Sequence, residues 1–210
     1  SLICKSTHNS PAILEEQDRR RQWREADKLW HTDRSFIDAD TTYSLLSGRV
    51  IPPVGGNTDF ADMRAVYDDL PAAMKTKIAT LNAEHSIWHS RALCGGTNFR
   101  LDEIATMPPV VQPLVREHPG SQRNSVVLAS HASHIIGMTP EDGRALLDEL
   151  TAIATQPKYC YSHRWSVGDL VIWDNRCTMH RGTHFDDKAY RRDMRRTTVQ
   201  GPSKYAHLAA

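Results

Sequence analysis

Residues 169–180 read Asp-Leu-Val-Ile-Trp-Asp-Asn-Arg-Cys-Thr-Met-His, and they contain the last long apolar run of the chain. That run, Leu170 to Trp173, is long enough for a β-strand, and its unbroken apolar character predicts a strand buried on both faces. Asp174 and Asn175 predict a turn after the strand, because their side chains bond to nearby backbone. His180 follows just past this turn, so the end of a buried strand presents a candidate metal ligand.

An arginine-rich segment, residues 191–199, follows the histidine. In an extended strand, Arg192 and Arg196 share one face because side chains alternate, and they stand about 13 Å apart. Guanidinium groups on a buried face need anions, since an unpaired buried charge is costly. The segment therefore predicts two anion sites. Arg191 and Arg195 have the same spacing on the opposite face, so a register slip would exchange the two pairs.

A metal at His180 needs further ligands, and the candidates lie far upstream at His31 and Asp33. These two residues are two positions apart, so a strand over residues 29–36 would put both side chains on one face. Two histidines and one carboxylate form the facial set that leaves three positions open on a non-haem Fe(II). The alternative is a buried, hydrogen-bonded trio without a metal, which composition alone does not exclude.

Eleven histidines allow other metal sites. His85 and His89 have the i, i+4 spacing of a zinc clamp on a helix, but no Glu accompanies them in the H-E-x-x-H pattern. His131 and His134 lack a third ligand and are more typical of a structural pair. His118, which lies in a loop before Pro and Gly, is a candidate substrate contact.

The composition bounds the class of protein. A chain of 210 residues with 40% hydrophobic residues is large enough for a sizeable core and is typical of a globular domain. Its formal charge of +1 argues against nucleic-acid binding, and no apolar run is long enough to span a bilayer. The four cysteines form no C-x-x-C pair, which predicts reduced thiols and a cytoplasmic location. Association into homo-oligomers stays open.

Short apolar segments separated by Gly and Pro predict many short strands. Residues 83–124 look the most loop-like, and residues 11–28 predict a loop or a short surface helix. The pattern predicts a mostly β chain with flanking helices, in a jelly roll, or double-stranded β-helix. We expect strands at residues 42–50, 126–129 and 159–165, and helices at 59–70, 71–82 and 140–154, the last with Thr139 as N-cap.

Several stretches resemble the taurine dioxygenase superfamily of Fe(II)- and 2-oxoglutarate-dependent dioxygenases, and most of all its 2,4-dichlorophenoxyacetate dioxygenase branch. The stretches are LWHTDRSF (29–36), VIPPVGGNTDFADMRAVYDDLP (50–71), HASH (131–134), ATQPKYCYSHRWSVGDLVIWDNRCTMHRGTHFDD (154–187) and YRRDMRRTTV (190–199). The resemblance implies one dioxygenase domain over residues 1–210, with 29–199 as its catalytic core and 1–28 variable or loop. Members of this superfamily carry additional residues before the H-x-D stretch, so an N-terminal portion is expected to be missing here.

The resemblance also implies Fe(II), 2-oxoglutarate and O2 as the cofactor and co-substrates. His31, Asp33 and His180 would then be the metal ligands. Arg192 would bind the far carboxylate of 2-oxoglutarate, with Thr58 adding a hydrogen bond. From the residues alone, Thr58 could equally cap the helix that follows it.

The implied substrate is a small organic anion whose acidic group would bind Arg196. In the most similar branch it is an aryloxyacetate, which is hydroxylated at the ether methylene and falls apart to a phenol and glyoxylate. One alternative is the same chemistry on an alkylsulfonate such as taurine, or on another carboxylate. The other alternative is an inactive homologue that binds a metal or a ligand.

Overall fold

The computed structural model describes residues 3–8, 25–39, 41–96 and 99–201, and of residues 3–8 it describes the backbone alone. The strands within these ranges are β1 Ile3–His8, β2 Thr41–Val50, β3 Thr58–Asp62, β4 Asn82–His85, β5 Val110–Pro113, β6 Val115–Glu117, β7 Asn124–Val126, β8 Ala132–Ile135, β9 Cys160–His163, β10 Leu170–Asp174, β11 Thr178–Gly182 and β12 Asp193–Gln200. The α-helices are α1 Met63–Asp69, α2 Ala72–Ile78, α3 Ile87–Leu93, α4 Leu101–Thr106 and α5 Pro140–Ala154. The chain is therefore mostly sheet with several helices, as its sequence pattern predicts.

The strands form four sheets, and every pairing is antiparallel. Their strand orders are β1-β12-β2-β10, β11-β3-β9, β5-β4-β8 and β6-β7. Most neighbours in a sheet are distant in sequence, as in the pairing of β2 with β12. This topology brings the beginning of the described chain next to its end, where the candidate ligands and the arginines lie.

Helix α5 has the bounds that the sequence predicts. The Thr139 hydroxyl accepts a hydrogen bond from the backbone N–H of Asp142, and proline occupies the first turn, where it costs no hydrogen bond. Leu146, Leu147 and Leu150 are buried in the main core, and each stabilises the fold by about 1.5–3 kcal/mol. None of the helices in the described ranges is long and apolar enough to cross a membrane.

The predicted helix at residues 59–70 is wrong over its first turn, because residues 58–62 form strand β3. Asp62 is the N-cap of α1, and its carboxylate accepts from the backbone N–H groups of Arg64 and Ala65. A side chain that binds these free N–H groups fixes the helix start. The helix predicted over residues 71–82 is also shorter than predicted, because α2 ends at Ile78.

Other elements also differ from the prediction. The strand predicted at residues 126–129 is found at Asn124–Val126, and the one at 159–165 shortens to Cys160–His163. Residues 83–124 are less loop-like than predicted, since they contain α3, α4 and the strands β5 and β6. The loop or helix predicted at 11–28 lies largely outside the described residues, and strand β1 precedes it. Strand β2 confirms the strand predicted at 42–50.

Strand β10 is buried on one face only, so the prediction of burial on both faces is wrong. Trp173 is 6% exposed, whereas Leu170 is 59% and Ile172 is 56% exposed. Alternate side chains of a strand point to opposite faces, and β10 lies at the edge of its sheet. An unbroken apolar run does not reveal which of its faces is covered.

Candidate metal centre and its cavity

His31 and His180 face each other across an isolated antiparallel β-bridge. The backbone N–H of His31 donates to the His180 carbonyl (2.9 Å), and the His180 N–H donates to the His31 carbonyl (2.8 Å). Directly opposed residues of an antiparallel pair project to the same side. The two buried rings accordingly lie with their centroids 4.3 Å apart. Strand β11 thus positions His180 and, through the bridge, His31.

Asp33 lies in a turn, so the strand predicted over residues 29–36 is reduced to the bridge at His31. The buried carboxylate accepts from Ser44 Oγ at Oδ2 (2.6 Å) and from Arg196 Nη1 at Oδ1 (2.9 Å). Burial alone would raise the pKa of Asp33, but Arg196 and the two histidines hold that pKa well below its usual range. The carboxylate is therefore ionised at neutral pH, which is the form that binds metals.

Each imidazole has a ring nitrogen that can bind a metal. His31 Nδ1 lies 2.7 Å from the Leu29 carbonyl oxygen, which can only accept, so Nδ1 carries a proton and Nε2 is the nitrogen that can bind a metal. Burial, together with the neighbouring His31, lowers the pKa of His180 to about 3 and keeps its ring neutral. Within the described residues, His180 Nδ1 has no hydrogen-bond partner.

The three ligand atoms fit one divalent ion. Asp33 Oδ1 lies 3.8 Å from Nε2 of each histidine, and all three atoms lie within 4.8 Å of one another. Two atoms that each bind an ion at about 2.1 Å are at most about 4.2 Å apart, which accommodates the two 3.8 Å separations. Two imidazoles and one carboxylate are the donor set of non-haem Fe(II) sites. The trio His31, Asp33 and His180 could therefore hold iron.

A cavity opens beside the trio. Its wall contains both histidines together with Thr58, Arg192 and Arg196. A space with candidate metal ligands on one side and guanidinium groups on another suits a small molecule that carries anionic groups. The structure thus brings together every site residue predicted from the sequence.

The arginine segment has the predicted orientation. Arg192, Met194 and Arg196 all line the cavity, although a bulge interrupts the pairing of β12 with β2 after Asp193. Arg191 is exposed. The alternative register, which would turn Arg191 toward the site, is therefore wrong.

Thr58 begins strand β3 and does not cap helix α1, whose N-cap is Asp62. Trp165 Nε1 donates to Thr58 Oγ1 at 3.0 Å, and both residues are buried. Because an indole N–H can only donate, Thr58 Oγ1 is the acceptor, and its own proton stays available. The Thr58 hydroxyl can therefore donate to an anionic group in the cavity.

Arg196 already has an anion within the protein. The sequence predicts an anion at Arg196 and assigns it to the substrate, but Asp33 supplies one anionic partner from within the protein. Arg196 Nη1 lies 2.9 Å from Asp33 Oδ1, and the Asp33 carboxylate raises the pKa of Arg196. A substrate anion at Arg196 would share the guanidinium with a candidate metal ligand.

The remaining histidines near the trio have structural partners. His85 and His131 both hydrogen bond through Nδ1 to Ser35 Oγ, at 3.0 and 2.9 Å. Burial, helped by the nearby imidazoles, holds the pKa of His131 well below its usual range. His131 and His134 have structural partners, as predicted, but not each other, because His134 bonds to the neighbouring serine hydroxyl. His89 lies on α3 while His85 lies on β4, so they form no helical clamp.

A second group of potential ligands comprises His118, Asp174 and Cys177. Arg176 binds the Asp174 carboxylate in a bidentate manner, with Nε at 2.9 Å and Nη2 at 2.6 Å. His118 Nδ1 accepts from the Ser121 N–H (3.1 Å), so Nε2 carries the proton and donates to Asp174 Oδ2 (2.9 Å). This group is a salt-bridged cluster, and His118 does not line the cavity described above.

Sequence reasoning missed Ser44 and Asn175. Asn175 Nδ2 donates to Ser44 Oγ at 2.9 Å, and Ser44 in turn contacts Asp33. No sequence signal singles out Ser44, because β2 also contains Thr41, Thr42 and Ser47, and the complete burial of Ser44 is visible only in the structure. Asn175 was interpreted as a turn residue alone.

Residues 5–198 match the family model described as Taurine catabolism dioxygenase TauD, TfdA family. The chain is 51% identical over 176 residues to an alpha-ketoglutarate-dependent 2,4-dichlorophenoxyacetate dioxygenase of Burkholderia sp. (strain RASC). The aligned residues cover 84% of this chain and 59% of the relative. Identity to the protein of the same name from Cupriavidus pinatubonensis (strain JMP 134 / LMG 1197) is 49% over 174 residues, or 83% of this chain and 60% of the relative.

Among solved structures, the chain is similar to AAD-2 in complex with Mn(II) and N-oxalylglycine. The TM-score is 0.88 at 46% identity, over 90% of this chain and 65% of that one. The chain spans 59% and 60% of the length of the two curated relatives. Since the family model matches nearly the whole chain, the chain belongs to the taurine catabolism dioxygenase TauD, TfdA family.

Proposed function

We propose that this chain is the catalytic core of an Fe(II)- and 2-oxoglutarate-dependent dioxygenase that hydroxylates a small anion of the aryloxyacetate type. One observation carries the proposal: both histidines of the buried trio His31, Asp33 and His180 line a cavity whose wall also contains Arg192 and Thr58. The names of the two curated relatives support the aryloxyacetate class. The neighbour that binds Mn(II) and N-oxalylglycine supports a metal together with a 2-oxo acid.

The same proposal includes a jelly-roll architecture, with residues 29–199 as the core of one domain. Two sheets contribute to the trio and its surroundings, since His180 lies on β11 while Arg196 and Ser44 lie on the four-stranded sheet. Enclosing a site between two antiparallel sheets is typical of jelly rolls. The similarity to the AAD-2 structure supports this reading.

The trio would hold iron through Nε2 of His31, Nε2 of His180 and Oδ1 of Asp33, with three positions left for ligands. Bound iron, 2-oxoglutarate and O2 together supply the oxidation of a substrate C–H bond, and 2-oxoglutarate leaves as succinate and CO2. Burial, together with the neighbouring His31, keeps the His180 imidazole neutral. Arg196 keeps the Asp33 carboxylate ionised.

Arg192 would bind the far carboxylate of 2-oxoglutarate, because a planar guanidinium offers two parallel N–H groups to one carboxylate. The Thr58 hydroxyl would add a third donor, and its proton is available because Trp165 already supplies the hydrogen bond that Oγ1 accepts. These contacts orient the co-substrate so that its 2-oxo acid end points away from Arg192 and toward the trio.

Arg196 would bind the acidic group of the substrate. Its contact with Asp33 keeps that group next to the metal ligands, so the carbon adjacent to a substrate carboxylate lies nearest to the oxidant. In an aryloxyacetate this carbon is the ether methylene. Hydroxylation there gives a hemiacetal, which breaks into a phenol and glyoxylate.

The test is phenol release. The chain is supplied with Fe(II), 2-oxoglutarate, air and 2,4-dichlorophenoxyacetate, and we expect phenol and succinate in equal amounts. Asp33→Ala, which removes one ligand, should release no phenol. Consumption of taurine without phenol release would move the substrate to the sulfonates. Failure to form succinate with either substrate would contradict the proposed activity of this chain.

A further inference from the structure

A chain of hydrogen bonds leads from the indole of Trp173 to the carboxylate of Asp33. Trp173 Nε1 lies 3.0 Å from Asn175 Oδ1, Asn175 Nδ2 lies 2.9 Å from Ser44 Oγ, and Ser44 Oγ lies 2.6 Å from Asp33 Oδ2. All four residues are buried, and Ser44 is completely so. Trp173 and Ser44 are paired across β10 and β2. The regular pairing of β2 with β10 therefore holds Asp33, which itself lies in an irregular turn.

Chemistry fixes the direction of this chain. The indole N–H of Trp173 can only donate, so the Asn175 amide must present its oxygen there and its NH2 group to Ser44. At the other end, the ionised carboxylate of Asp33 can only accept. Ser44 must consequently accept from Asn175 and donate its hydroxyl proton to Asp33. Reversing any one bond would place two donors or two acceptors together.

The hydrogen-bond chain gives the two oxygens of Asp33 different partners. Oδ2 receives the Ser44 hydroxyl, while Oδ1 faces Nε2 of both His31 and His180 and also accepts from Arg196 Nη1. The Trp173 ring also packs against the His180 ring, with centroids 4.7 Å apart. One indole thus contacts one candidate ligand directly and reaches another through two side chains.

We propose that Ser44, Asn175 and Trp173 are positioning residues that hold the Asp33 carboxylate with Oδ1 toward the metal. The inference rests on the proposed function, because it assumes that the trio binds a divalent ion. Hydrogen-bond partners behind metal ligands commonly contribute 10- to 100-fold to metal affinity. The alternative is that these hydrogen bonds merely satisfy buried polar groups. In that case the loss of the hydrogen bonds would lower stability and leave metal affinity unchanged.

The experiment measures binding of Co(II), an air-stable substitute for Fe(II), by calorimetry and by its visible absorption bands. Ser44→Ala should weaken Co(II) binding by about 10- to 100-fold and change the bands, because the carboxylate loses its hydrogen bond at Oδ2 and keeps only the contact of Oδ1 with Arg196. The matched control is Ser90→Ala, which removes another fully buried hydroxyl, whose hydrogen bond among the described residues goes to the Ile87 carbonyl. The control should lower stability but leave Co(II) affinity as in the wild type.

A double-mutant cycle distinguishes an effect of the hydrogen-bond chain on metal affinity from an effect of simple packing. Trp173→Phe keeps an aromatic ring beside His180 but removes the N–H that orients Asn175, so it should weaken Co(II) binding less than Ser44→Ala does. In the Ser44→Ala background the Trp173→Phe change should have little further effect, because coupled residues are not additive. Trp173→Phe also provides a test if Ser44→Ala does not fold.

The outcomes are distinguishable. Wild-type affinity in the Ser44→Ala variant would overturn the inference, and so would a Trp173→Phe effect of equal size in both backgrounds. If Ser44→Ala fails to fold, wild-type affinity in Trp173→Phe would overturn it. Failure of the wild-type chain itself to bind Co(II) would instead contradict the proposed function.

Discussion

Two groups of three potential metal ligands lie in the described part of this chain, and they differ in what else their atoms bind. In the trio His31, Asp33 and His180, the imidazole Nε2 atoms face one carboxylate oxygen beside a cavity. In the salt-bridged cluster, Arg176 binds both oxygens of Asp174, and the imidazole donates its proton to the same carboxylate.

The difference shows that residue types and proximity do not make a metal site. Both groups contain histidine and aspartate within bonding distance of one ion. What distinguishes them is the position of the imidazole proton and the way the guanidinium binds: Arg196 contacts one oxygen of Asp33, whereas Arg176 binds both oxygens of Asp174. His31 donates its Nδ1 proton to a backbone carbonyl and leaves Nε2 open, whereas His118 accepts at Nδ1 and thereby commits Nε2 to donation.

The largest expected effect comes from removing one ligand of the trio. His180→Ala should abolish Co(II) or Fe(II) binding at micromolar concentrations, because two remaining ligands do not hold such an ion against water. His118→Ala is the matched control from the salt-bridged cluster and should bind the metal as the wild type does. Calorimetric titration of both variants checks the comparison. Undiminished binding by His180→Ala, or its loss in His118→Ala, would reverse the assignment of the two groups.

The second effect concerns the cavity beside the trio. Arg192→Ala should weaken 2-oxoglutarate binding to the Co(II)-loaded protein by more than about 100-fold, since loss of one partner of a buried charge pair costs about 3–5 kcal/mol. Arg191→Ala removes a neighbouring but exposed guanidinium and should have little effect. If Arg191→Ala shows the larger loss, the assignment of the co-substrate site to Arg192 is wrong.

The smallest effect is expected in the salt-bridged cluster. Burial would raise the pKa of Asp174, but hydrogen bonds from Arg176 and His118 hold it below its usual range. A lowered pKa contributes stability that is present above about pH 4 and is lost as the pH falls through the folded-state pKa. Asp174→Asn should lower the free energy of unfolding by about 2 kcal/mol at pH 7, and by progressively less below pH 4.

Urea unfolding across this pH range measures the effect. A loss of the same size at pH 7 and at pH 3 would show that the charge of Asp174 is not its cause. Co(II) affinity should stay as in the wild type, because Asp174 does not line the cavity.

The sequence predicted elements best where local chemistry decides them. Helix α5 was predicted to the residue, because Thr139 and Pro140 fix its start whatever surrounds them. The start of α1 was missed, since helical spacing continues upstream of Asp62 and only the pairing of β3 with β9 and β11 makes that segment a strand. The exposed face of β10 was missed for a related reason, because sheet neighbours decide burial.

In the site, the six predicted residues were found through alternation along the chain and a resemblance in motif. Their partners could not be found in this way. The contacts of Arg196 with Asp33, and of Trp165 with Thr58, join residues that are 163 and 107 positions apart. Such pairs depend on the register of whole sheets, which a single sequence does not specify.

The bridge between His31 and His180 joins positions near the two ends of the described chain. A contact of this kind forms late in folding, because the chain must lose loop entropy before the contact can contribute. An ion held across the bridge therefore gives little help to early folding. It raises instead the barrier that the native chain must cross to open. Its benefit would be found in the lifetime of the folded protein rather than in the speed at which the protein forms.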